Sequence, residues 1–149
     1  MGRITIPLYY CKSKVPLVIF GTSGLKNRGK KWIGIIDTGS EVSMFDWSLL
    51  DDGFKSNDAP GETKFIGVNG EGSATKVSVV SGDVVFLAKD SKEYTLPVIG
   101  ATYDFSALKE TFCQRTKKNV DITAIFGSDF LKEHEARINY RNKTMTFNI

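Results

Sequence analysis

Residues 35–45 read IIDTGSEVSMF: an apolar run ends in one carboxylate, Asp37, followed at once by Thr38, Gly39 and Ser40 and then a second, largely apolar run. An aspartate that only marked a turn would need no hydroxyls beside it. A carboxylate among such donors suits acid–base chemistry. One aspartate can activate a water as a base while a second, protonated, gives its proton to a leaving amine. Like charges in contact cannot both ionise easily, so such a pair titrates in separated steps and shares a proton. Peptide hydrolysis with neither a metal nor a covalent nucleophile calls for this pair. In it, Gly39 lets the chain turn and substrate backbone approach, and Thr38 offers a hydroxyl that locks one strand end against its partner. Ser40 is expected to donate to the carboxylate, favouring its charged form and extending activity into mildly acidic pH. The chain contains one Asp-Thr-Gly and no Asp-Ser-Gly. The second carboxylate must then come from a second copy, with Asp37 facing its mate across a two-fold axis. A monomer is expected to be inactive.

The rest of the composition removes competing chemistries. The only histidine, His134, sits in the charged stretch KEHEAR and reads as a surface residue. A single histidine read as a surface residue leaves neither a Ser-His-Asp arrangement nor a multi-histidine metal site to expect, and no metal or cofactor is expected. Two cysteines, Cys11 and Cys113, make no disulfide framework. The net charge of +3 is mild, and the basic runs Lys26–Lys31 and Arg115–Lys118 read as solvated loops. Neither offers the aromatics of a nucleic-acid surface, so no nucleic-acid partner is expected. The N-terminus MGRITIPLYYCKSK lacks the pattern of a secretory signal. Ile6 stands where myristoylation needs Ser or Thr, and no window is long and apolar enough for a membrane span. The expectation is a soluble, cytoplasmic rather than secreted protein, with a trimmed leader or a larger parent chain left open.

The elements that must position Asp37 are mostly short strands. With 149 residues the chain is one domain, 1–149, long enough for a real core. RITIPLYY (3–10) alternates and carries an edge-type proline, and PLVIFGT (16–22) and KWIGIID (31–37) are continuous apolar runs. A helical turn is expected around DWSLL (46–50). TKFIGVNGEGSATKVSVV reads as two strands joined by a Gly-rich tip, with Asn69-Gly70 as a hairpin signal. GDVVFLAK (82–89) and EYTLPVIG (93–100) form a further pair. Residues 104–118 are the best helix candidate, with Phe105, Leu108, Phe112 and Cys113 on one face. ITAIFG (122–127) reads as a buried strand, SDFLKEHE (128–135) as a helix, and ARINY and TMTFNI as closing strands. Strands spaced this closely predict a mainly β barrel or sandwich with one or two helices.

In this order the motifs resemble the retropepsins, the single-domain, homodimeric, retroviral-type aspartic proteases. The resemblance rests on WIGIIDTGS, on the Gly-rich hairpin FIGVNGEGSATKV about thirty residues later, on AIFG followed by SDFLKEHE, and on ARINYRNKTMTF. It implies an acid-protease barrel with a flap hairpin, assembled as a two-fold dimer. It also implies an endopeptidase acting on extended peptide or protein substrates, with Asp37 as the catalytic carboxylate and Thr38 as the interlocking contact. Gly39 would present its carbonyl to substrate, and Asn69, Gly70, Glu71 and Gly72 would close over it. Substrate contacts are also expected from Ser40, Glu41, Val68 and Ile125, with apolar pockets drawing on Val42, Phe65 and Ile66.

Some features depart from the viral pattern. Glu41 and Ser128 stand where viral enzymes often carry an aspartate and an arginine in an ion pair. Segment 101–121 is longer than its viral counterpart. Viral termini interleave into a dimer sheet, an arrangement this sequence does not specify. The competing expectation is a catalytically inactive module of the same fold, a dimeric peptide-binding or scaffold protein. A third is a domain active only after release from a larger chain.

Overall fold

The computed structural model describes residues 2–10, 14–24, 29–56, 64–67, 74–117 and 119–149. Its first strands are β1 (Arg3–Pro7), β2 (Tyr9–Tyr10), β3 (Pro16–Thr22), β4 (Trp32–Ile36) and β5 (Met44–Asp46), followed by a 3-10 turn, Trp47–Asp51. Next come β6 (Lys55–Ser56), β7 (Lys64–Gly67), β8 (Ala74–Leu87), β9 (Glu93–Tyr103) and helix α1 (Ser106–Thr116). The chain continues through β10 (Ile122–Phe126), helix α2 (Ser128–Glu133), β11 (Arg137–Asn139) and β12 (Thr144–Asn148).

The fold is mainly β. Six strands close on themselves in the order β3–β4–β10–β5–β9–β8, with β8 returning to β3 through Gly21↔Val85 and Thr22↔Val84. Closure removes the open edges that a sheet of this size would otherwise expose. β10 is parallel to β4 and antiparallel to β5. A strand covered on both faces reads as a continuous apolar run, and every residue of ITAIF is buried. Inside the barrel the ring of Phe126 meets Phe20, Phe45, Phe86 and Phe130 at centroid distances of 5.5, 6.0, 5.8 and 5.1 Å. Such tilted and edge-on pairs add to the burial of each ring.

A separate antiparallel sheet, β1–β12–β11, packs against the barrel core. Ile4, Ile6, Met145 and Phe147 point into the core from it. The two termini pair within one chain, Arg3 opposite Asn148, and the Ile149 N–H donates to the Gly2 carbonyl at 3.0 Å. Within the protomer β12 therefore already has both neighbours.

Three expectations need correction. The two strands foreseen on either side of Ser81-Gly82 are one strand of 14 residues, β8. Gly82 does not break it but makes room, because a Cβ there would lie 2.7 Å from the Phe54 ring. RITIPLYY is divided at Leu8, whose N–H leaves the strand to meet the Lys143 carbonyl at 2.8 Å. His134 is half-buried rather than a surface residue. It follows α2 directly, and its ring lies 4.7 Å from Phe130 and 6.2 Å from Phe147. An aromatic body packs where helix α2 meets β12, whatever the charge of its sequence neighbours.

Candidate active site

The Asp37 loop begins where β4 ends. The Asp37 N–H donates to the Phe126 carbonyl at 3.0 Å, extending the β4–β10 pairing by one residue. The chain then turns, with the Ser40 N–H on the Asp37 carbonyl at 3.2 Å. The carboxylate itself accepts the Gly39 N–H at 3.0 Å and is exposed, as are Thr38 and Gly39. Gly39 is not in the left-handed region. Its lack of a side chain matters for access instead, since a Cβ would sit 3.3 Å from Asp37 Oδ1. Ser40 departs from expectation. Its hydroxyl donates to the Val42 carbonyl at 2.8 Å, not to the carboxylate. A backbone acceptor two residues on is the usual partner of a serine in a turn, and among the described residues the Gly39 amide is the donor that the Asp37 carboxylate accepts.

The loop is fastened to the start of α2 by groups with no obvious signal in the sequence. Ser43 is fully buried. Its N–H and hydroxyl donate to the Asp129 carboxylate at 3.0 and 2.6 Å, and its oxygen accepts the Gly127 N–H at 2.9 Å. Asp129 also accepts its neighbour's amide, Phe130 N–H, at 2.7 Å. The Ser128 N–H reaches the Ser40 carbonyl at 2.7 Å, and a Cβ on Gly127 would fall 2.7 Å from that same oxygen. Glycine at 127 is thus required by close backbone approach. With its oxygens occupied, Asp129 is a brace rather than a second free acid. Glu41 and Val42 are exposed. Ser128 is tied to the loop through its backbone N–H.

Beside Asp37 lies a cavity of about 340 Å³. Ile35 and Ile125 form part of its apolar lining. The opposite wall is α1, through Leu108, Phe112 and Arg115. Arg115, exposed as expected of a solvated basic residue, lies in the last turn of α1 and lines the cavity. The helix is fixed by Asp46, a nearly buried carboxylate that accepts the Phe105 N–H at 2.8 Å and the Ser48 hydroxyl at 2.6 Å. Lys109 reaches Asp46 at 3.2 Å and Asp121 at 2.8 Å. Partial burial works against the charge on Lys109, but hydrogen bonding to Asp121 and the Asp46 charge outweigh it and raise its pKa. Burial, then the Asp46 charge, pushes the Tyr103 hydroxyl up to about 12.

The hairpin assigned to the flap forms from β7 and the start of β8, in a register that sets Gly67 opposite Ala74. Val68, Asn69, Gly70, Glu71 and Gly72 lie outside the described residues. Thr38 also borders a shallow depression with Ser128, Leu131 and Lys132 of α2. The described residues thus bring Asp37, Thr38, Gly39 and Ile125 together. Ser43, Asp129 and α1 are the positioning elements that the sequence did not single out.

No family model matches the chain, and no curated protein matches it. Among solved structures, the chain is similar to a retropepsin-like aspartic protease from Rickettsia conorii. The identity is 14% and the TM-score 0.48, with 98% of this chain and 90% of that one covered.

Proposed function

We propose that the chain is one half of a homodimeric aspartic endopeptidase. The observation that carries this reading is Asp37 itself: an exposed carboxylate with one backbone donor, on a braced loop, at the edge of a partly apolar cavity. Two such loops across a two-fold axis supply the pair. One Asp37 takes a proton from water as its oxygen attacks the peptide carbonyl. The other, protonated, gives its proton to the amide nitrogen as the C–N bond breaks. Thr38 forms the contact between the loops, and the Gly39 carbonyl holds substrate backbone together with Ser40 and Glu41. Ile125 and Val68 contact side chains, while residues 69–72 cover the peptide and exclude water. Among the described residues no helix is long and apolar enough to cross a membrane.

The test sets wild type beside Asp37→Asn on a peptide library from pH 4 to 8, with sedimentation reporting assembly. Cuts made only by wild-type dimers are the expected result. A folded dimer that cuts nothing would favour the non-catalytic peptide-binding module instead.

A further inference from the structure

Alternation along the strands puts Ile36 and Val18 inside the barrel and Ile35 and Leu17 outside it. Outside, those residues join Ile122 and Ile125 in a second apolar cluster, covered by Phe112 of α1. The cover is incomplete, and what remains open is the cavity beside Asp37. Two cations line it, Arg115 from α1 and Lys14 from the segment before β3. Both are exposed, and neither belongs to an ion pair among the described residues. Asp37 is the only carboxylate among the described residues lining the cavity.

On the reading that the chain cleaves peptides, we propose that this cavity is a subsite selecting a glutamate close to the cleaved bond. The glutamate's methylenes lie along Ile35, Ile125 and Phe112, and its carboxylate meets the Arg115 guanidinium, with Lys14 as second cation. Apolar stems and a charged tip suit such lining, and the planar guanidinium can bind both carboxylate oxygens. The two cations also answer an electrostatic problem. A substrate carboxylate near a charged Asp37 is repelled unless positive charge stands close by. Arg115 thereby becomes a specificity residue, contributed by the segment in which this chain exceeds the viral pattern.

The test uses full-length Asp37→Asn protein and two fluorescent decapeptide pools that differ only in a central glutamate or glutamine between apolar residues. The glutamate pool should bind about fivefold more tightly, the scale of a solvent-exposed ion pair, and high salt should narrow that gap. Arg115→Glu, confirmed folded by circular dichroism, should abolish or reverse the preference. Equal binding of the pools, binding of neither, or a preference untouched by Arg115→Glu overturns the proposal. Wild-type cleavage of the same pools separates this proposal from the reading beneath it. Cutting without preference sinks only the subsite, and glutamate-selective binding without cutting sinks only the protease.

Discussion

Asp37 and Asp46 both close apolar stretches, IID and MFD, and they lie at the ends of β4 and β5, the two strands that flank β10. Their surroundings are opposite. Asp46 is 6% exposed and accepts an amide, a hydroxyl and an ammonium. Asp37 is exposed and accepts one amide. A carboxylate whose lone pairs are occupied and shielded from water is a structural tie, because removing it strands the donors that it accepts. One left with a single donor and open to solvent is free to meet another molecule. Position in a strand does not separate the two roles; the number of donors and access do.

The contrast can be broken from either side. Asp37→Asn should lower cleavage by about a thousandfold or more, the scale of losing a positioned acid–base group. Its midpoint in chemical denaturation should stay within experimental error of wild type. Asp46→Ala should do the reverse and destabilise the fold by roughly 3 kcal/mol, because it strands the Phe105 amide and leaves half-buried Lys109 with Asp121 alone. Loss of α1 helicity should accompany it, and an unchanged unfolding free energy would contradict the assignment.

Two smaller effects sharpen the picture. Ser43→Ala removes a buried hydroxyl that both donates and accepts, at a cost of about 2 kcal/mol. Activity should fall further than stability accounts for, since the Asp37 loop loses its brace; equal kcat and KM would refute that role. Tyr103 gives a pH signature. Its folded pKa is raised to about 12 from 10.0, so between those values the unfolded chain loses this proton before the folded one does. Stability present below pH 10 should therefore decline from pH 10 to 12, by up to about 2 kcal/mol from this group. Tyr103→Phe should flatten that decline, as urea denaturation across the range would report.

Much of the scaffold was legible because local patterns carry it. The fully buried run ITAIF, the apolar strands before Asp37 and the helix after Gly127 are all marked by periodicity and punctuation. β8 was misread as two strands because a glycine in a strand signals either a break or a close approach. Only the position of the Phe54 ring distinguishes them. Ser40 was given the wrong acceptor for a similar reason. Residue type says that a serine hydroxyl donates but not to which acceptor, and in the folded turn it meets the Val42 carbonyl. His134 was placed at the surface by the charges beside it in sequence, whereas its rings of contact come from Phe130 and Phe147.

The sequence by itself determined that an apolar strand delivers one carboxylate into a small-residue turn, and that a single histidine cannot build a multi-histidine metal site. Those properties follow from residue type and spacing, which act over a few bonds. The tertiary structure decided that Asp129 and Ser43 brace the turn and that Asp46 is sealed while Asp37 is left open. It also decided that α1 brings Arg115 to the same cavity as Asp37, 78 positions apart in the chain. Those facts depend on which distant groups barrel closure brings together, and no local pattern carries them.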